Sequence, residues 1–444
     1  MKEIHKLLFV LGIAVFFIGL FVLCDGYAQD ITEEYASQIT PSLIGQSSGS
    51  GDNNADVDVE NMVEGMIRSD YSADVTISAM GDILVQSTQL DRAYDSDSGE
   101  FDFTESFVYL REILRSSDYA VATLKTTMAG SGNGTASEKH GYTCADSTYN
   151  SPEVLADNMK TAGLDLVNTA NNHSLDSGFD GLVSTLEYLD DAGLAHVGTK
   201  AKESDDASAA VDIGGLDVAF IGYTNLTNDH TLDEDEAYAL NTLDDYDTAK
   251  IRTLCQEVAD AAEAHELVVV MLNFGSVDSD SVEKQQEALA QKLAQSGADV
   301  ILGTGSTVLK PIRIISSAAA NSGQCLVFYG MGAILSSMGY DYTYKDVDIA
   351  AVFNMNYTRN EMGEVSLKEL TIIPMYLNWW DNKIQPMPVG EAMDTDYYED
   401  ELDDGDLERI EDSYANTVTN LLSGSGLSAD YSAQDYAWHV NFIN

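Results

Sequence analysis

From Asp74 to Leu302 the chain repeats one pattern: a strand-length apolar run, a polar cluster, then a helix-length amphipathic segment. Strands are expected at Val75–Ala79, Tyr119–Leu124, Leu164–Thr169, Ala209–Ile213, Leu216–Tyr223, Leu267–Leu272 and Asp299–Leu302. Helices are expected at Phe103–Leu114, Pro152–Ala162, Gly178–Ala192, Tyr246–His265 and Val282–Ser296. Ser151 and Pro152 suit the start of the second of these, and Gly193 and Gly297 suit the ends of the third and fifth. After residue 302 strand signals dominate, at Ile312–Ile315, Cys325–Tyr329, Ile349–Tyr357 and Val365–Pro374. Strand–helix alternation followed by strands limits the chain to an α/β domain of layered sheets.

Outside that region the composition changes. Lys2 and Lys6 precede an apolar run from Leu7 to Leu23, and small residues follow at Gly26-Tyr27-Ala28. Residues 1–28 therefore read as a signal peptide or a retained N-terminal membrane anchor, and both place the rest on the extracytoplasmic face, secreted or membrane-anchored. Residues 29–70 are polar and acidic, with Ser47–Asn54 at their centre, and suit a flexible linker. Residues 391–406 hold nine acids and no base and read as an exposed loop; Leu407–Leu422 reads as a helix packing on the domain. The full chain has 74 acids against 22 bases, a formal charge of -52. That excess excludes nucleic acid as a ligand and opposes any polyanion, unless a patch such as Lys125, Lys160, Lys310 and Arg313 offsets it locally. Of Cys24, Cys144, Cys255 and Cys325 no pair has metal-ligand spacing.

In α/β sheets functional groups collect where strands end. Here those positions hold Asp82, Lys125, the Asn171–Asp176 run, Asn273, and Thr304 with Thr307. Five such ends around one pocket is what a dinuclear phosphoesterase needs, since carboxylates, an amide oxygen and imidazoles must hold two cations that clamp a phosphoryl oxygen and activate water. The bland alternative is a structural loop at Asn171–Asp176 whose side chains satisfy backbone groups at a helix start.

The run Ala170-Asn171-Asn172-His173-Ser174-Leu175-Asp176-Ser177-Gly178, followed by Gly181-Leu182, Thr185-Leu186 and Ala192-Gly193, resembles a known family. So do Met80-Gly81-Asp82-Ile83 and the segment Leu326–Leu335. The resemblance is to the CapA-like capsule-synthesis proteins, also called poly-γ-glutamate synthesis proteins, of the calcineurin-like metallophosphoesterase superfamily. It covers residues 74–390 and implies a layered α-β-β-α sandwich with a metal centre. The departures fall on the ligands. The family's Asn-Leu-Glu is Thr123-Leu124-Lys125 here, its His-Trp-Gly is Asn273-Phe274-Gly275, and its Gly-His-His-Pro-His is Gly303-Thr304-Gly305-Ser306-Thr307. An ammonium repels a metal and neutral hydroxyls bind one weakly.

What the resemblance leaves is Asp82 and Asn172 as residual metal ligands, His173 oriented by Asp176 as a remnant catalytic pair, and Asp82, Lys125, Asn171, Asn172, Asn273, Thr304 and Thr307 as ligand contacts. No resident cofactor is expected, or at most one weakly held divalent cation. Lys125 is placed to fill the vacated cation position and neutralise Asp82. The expected function is a non-catalytic component of capsule or poly-γ-glutamate biosynthesis. Its expected partners are an envelope polymer or the capsule export machinery, with the membrane met through the N-terminal segment. The alternatives are a hydrolase or ligase-type enzyme with an altered site, and a surface module that binds sugars through Tyr376, Trp379 and Trp380.

Overall fold

A computed structural model describes residues 72–132, 138–145, 148–276, 279–338, 346–378 and 384–442. Segments 1–28 and 29–70 lie outside the described residues, as does the Trp379-Trp380 pair.

Two sheets dominate. The larger has ten strands, and its main path runs Ser428–Ser432, Ala437–Asn441, Val365–Asn378, Ile349–Arg359, Ala73–Ile83, Tyr119–Leu124, Leu166–Asn168, Ala195–Val197. The smaller has six, in the order Ser208–Ile213, Leu216–Thr224, Leu267–Asn273, Val300–Thr304, Gln324–Phe328, Ile312–Ser316. The strands that precede helices pair in parallel, from Ala73–Ile83 through Ala195–Val197 in one sheet and from Leu216–Thr224 through Gln324–Phe328 in the other. Parallel pairing requires a crossover between strands, which here places helices on the outer faces.

The side-chain period of two explains the layering. Along Leu267–Asn273 every residue is buried. Leu267, Val269 and Met271 face a core shared with Val75, Ile77, Val121 and Leu166 of the larger sheet. Val268, Val270 and Leu272 face the other way, onto Leu254 and Val258 of helix Thr248–Ala264 and Leu289 and Leu293 of helix Lys284–Ser296. Across the molecule Ala120, Ala122 and Leu124 pack under helices Val154–Ala162 and Gly178–Ala192. The result is a four-layer α-β-β-α sandwich. Each aliphatic side chain buried in these layers contributes about 1.5–3 kcal/mol relative to exposure.

Two segments differ from the sequence-based expectation, and a third carried none. The helix expected at Phe103–Leu114 is two pieces, a 3-10 turn Thr104–Phe107 and an α-helix Leu110–Arg115. The acidic run 391–406 is not one exposed loop: helix Val389–Asp394 and turn Glu399–Glu401 occupy much of it, with Tyr398 buried between them. Beyond helix Asp404–Leu421 the chain forms a hairpin that joins the larger sheet through Thr371–His439 and Ile372–Trp438. Val418, Leu421 and Trp438 thereby enter the core between the sheets.

Candidate functional site

Asp82 ends the first strand, with its backbone N–H bonded to Gly332 O at 3.0 Å. A Cβ on the preceding Gly81 would lie 1.9 Å from that same oxygen, so the close approach of the two chains needs glycine there. Lys125 follows the adjacent parallel strand. Its Nζ lies 3.0 Å from Asp82 Oδ2, with the two side chains 2% and 0% exposed. An ion pair this dry costs several kcal/mol per ion in lost hydration and persists because each charge compensates the other.

The third strand, Leu166–Asn168, leads into the polar loop. Asn171 spends its amide within the fold: Nδ2 donates to Leu124 O and Thr169 O, and Oδ1 accepts the His173 N–H. It shapes the loop in the manner of the bland reading. Asn172 donates from Nδ2 to Asn228 Oδ1 at 3.1 Å. His173 Nδ1 lies 2.8 Å from Asp176 Oδ2, and the Tyr149 N–H donates to that oxygen at 2.6 Å. Tyr149 also meets the imidazole edge-on, with ring centres 4.6 Å apart. Burial lowers the pKa of His173 below its ordinary value and outweighs the opposing pull of Asp176; Lys125 lowers it further and Asp82 raises it. A neutral ring that donates Nδ1–H to Asp176 keeps its Nε2 lone pair.

Asn273 and Thr304 end neighbouring strands of the smaller sheet and are paired in register. Gly305, at φ 104°, folds the next loop back until a Cβ there would lie 3.0 Å from Gly275 N. Thr304 Oγ1 contacts Thr123 Oγ1 at 3.5 Å, joining the two sheets at their ends. Thr224 Oγ1 lies 3.4 Å from Asn273 Oδ1. Thr307 is buried in the same loop. Eight of the nine nominated residues are thus buried on strand ends or the loops that follow them, and the ninth, Asp176, is half-buried with its side chain covered.

The four bases do not form a free patch. Lys125 is consumed by Asp82, and Lys160 sits on Asp165 at 3.0 Å. Lys310 is fully buried, donating to Gln286 Oε1 at 3.1 Å with Glu283 at 3.7 Å. Arg313 donates to the carbonyls of Ile312 and Ser423. A cleft of about 850 Å³ begins one residue past Thr307, between Val308, Leu309 and Arg313 on one side and Asn416 and Asn420 of helix Asp404–Leu421 on the other.

Sequence reasoning missed the loop after Leu216–Thr224. Asn228 lies on Asn172 and 3.4 Å from His173 Nδ1, and His230 Nε2 lies 3.7 Å from Asp176 Oδ1. The rule that function gathers at strand ends applies to this loop as well, but neither residue has ligand spacing in the sequence.

A dinuclear metal centre does not fit the side chains present. The Asp82 carboxylate has an ammonium against it, and Asp176 is turned to His173 and Tyr149. Amide and hydroxyl groups stand at Asn273, Thr304 and Thr307, where imidazoles are needed. Among the described residues no three His, Cys, Asp or Glu side chains form a group able to hold a metal ion.

Residues 76–338 match the family described as bacterial capsule synthesis protein PGA_cap. The chain is 24% identical over 310 residues to the PGA biosynthesis protein CapA of Bacillus subtilis strain 168, covering 69% of this chain and 75% of that one. It is 25% identical over 266 residues to the capsule biosynthesis protein CapA of Bacillus anthracis, covering 58% of each. Among solved structures, the calcineurin-like phosphoesterase YfkN from Bacillus subtilis aligns with a TM-score of 0.40 at 12% identity, over 68% of this chain and 90% of that one. With its match spanning more than half of its length, and covering both sheets' parallel strands, this chain belongs to the PGA_cap family of bacterial capsule synthesis proteins.

Proposed function

We propose that this protein serves the synthesis or export of an envelope polymer of the poly-γ-glutamate kind from the extracytoplasmic face, without hydrolysing phosphoesters itself. Two similar relatives are named for PGA and capsule biosynthesis. The observation that carries the non-catalytic part is the Lys125–Asp82 pair at 3.0 Å. A lysine ammonium occupies the carboxylate that a bridging metal would need. Export rests on the Lys2, Lys6 and Leu7–Leu23 pattern. Calorimetric titration of the purified chain with Mn²⁺, Mg²⁺ and Zn²⁺ tests the site. The expected result is no stoichiometric binding tighter than about millimolar, roughly -4 kcal/mol. Tight binding that vanishes in Asp82→Ala would overturn the reading.

A second reading is kept alive by His173. Its Nδ1 is fixed on Asp176 and burial keeps the ring neutral, which is the arrangement of a general base. Under that reading the protein is a hydrolase or ligase-type enzyme with an altered site. Polymer turnover by the wild type that is lost in His173→Gln would favour it over the binding role.

A further inference from the structure

Two buried polar atoms at the strand ends have no hydrogen-bond partner among the described residues: Asp82 Oδ1 and Asn273 Nδ2. Their residues are 0% and 2% exposed. A buried polar group left unpaired loses its hydration without recompense, so their presence asks what satisfies them. They flank one contact between the sheets. Asp82 is paired in register with Thr123, Asn273 with Thr304, and the two threonine hydroxyls meet at 3.5 Å. One orphan accepts and the other donates.

The charge of Asp82 is already balanced. Lys125 neutralises Asp82. An added cation meets the ammonium, and an added anion meets the Asp82 and Asp176 carboxylates. What suits an acceptor beside a donor, without net charge, is a group that carries both functions. The protein holds one example of its own. The loop Thr227–His230, closed by His230 N–H on Thr227 O at 2.9 Å, lays the Asn228 carboxamide on the site. Its Oδ1 accepts from Asn172 and its Nδ2 lies 3.4 Å from His173 Nδ1. Asn228 and Asp229 both adopt positive φ, 49° and 63°, to bring it there.

We propose that the strand-end site binds a neutral amide, of the N-acetyl or carboxamide kind, and that Asn228 occupies part of the site until the ligand displaces it. This rests on the non-catalytic reading above and adds the chemical class of ligand. The amide N–H donates to Asp82 Oδ1 and the carbonyl accepts from Asn273 Nδ2. The ligand takes over the contacts with Asn172 and His173 that Asn228 gives up.

The test is calorimetric titration of the full chain with tri-N-acetylchitotriose, which offers amides, and with maltotriose, which offers only hydroxyls and ring oxygens. Binding of the first and not the second is expected. Asn228→Ala removes the internal competitor and is expected to tighten binding at least about fivefold, because a larger fraction of molecules is then open. Asn273→Ala is expected to abolish binding in a protein whose thermal unfolding shows it folded. Equal binding of the two sugars overturns the proposal, as does no binding of either even in Asn228→Ala, or an Asn228→Ala affinity no better than wild type. Should Asn273→Ala fail to fold, the Asn228→Ala comparison decides alone. Hydrolysis of bis(4-nitrophenyl) phosphate by the wild type with Mn²⁺, lost in Asp82→Asn, overturns the non-catalytic reading instead, and the sugar titrations do not report on it.

Discussion

Lys125 and Asp82 depend on each other because neither reaches water. Lys125→Met leaves a buried carboxylate uncompensated and is expected to cost about 3–5 kcal/mol in urea unfolding. Adding Asp82→Asn to it is expected to restore most of that loss, since the orphaned charge is then gone; no recovery would mean that the lysine stem, not its charge, matters. His173 gives a pH signature. Its folded pKa lies below the unfolded value near 6.5, so the folded state binds fewer protons in that window. Its contribution to stability is full above the unfolded pKa and is lost as pH falls through the folded one. Urea unfolding at a series of pH values is expected to show a steeper acid-side loss for wild type than for His173→Gln. At this scale the sequence shows some residues well and others not at all. Lys125, Asn273, Thr304 and Thr307 stand out because each replaces a ligand type inside a recognisable frame. Asn228 and His230 do not, because their meeting with Asn172 and Asp176 depends on how one sheet is laid over the other.

Elements were legible where periodicity was strong and burial two-sided. The run Leu267–Asn273 is apolar on both faces and could only be an interior strand. The C-terminal hairpin was hidden for the opposite reason. Its outer strand, Ser428–Ser432, carries Ser, Asp and Tyr with partial exposure and lacks a strand signature of its own. It exists because Trp438 is driven between Tyr414 and Tyr431, with ring centres 5.0 and 4.6 Å away. Trp438→Ala is expected to cost about 3–5 kcal/mol, read by chemical denaturation. The helix before the hairpin starts at Asp403, whose side chain accepts from Gly405 N and Asp406 N. Asp403→Ala is expected to cost about 1 kcal/mol by the same measurement and to leave the sheets intact.

For the whole molecule, the formal charge of -52 sets a background of self-repulsion that the sandwich must overcome. Raising NaCl from about 0.02 M to about 0.5 M shortens the screening length to a few ångströms and is expected to raise the unfolding temperature in calorimetry. A fall would mean that the paired charges, such as Arg409 between Asp346 and Asp348, matter more than the unpaired excess. The Lys125–Asp82 pair also fixes the order in which a metal site could be gained. A histidine placed at position 273, 304 or 307 would face an ammonium and gain no metal to bind, so each such change alone is a dead step. Only a substitution at 125 makes the others useful, and that first step carries the penalty of an unpaired buried carboxylate. The ion pair therefore acts as a latch in sequence space: the fold can keep drifting around it, but a metal-binding site opens only by first passing through a less stable protein.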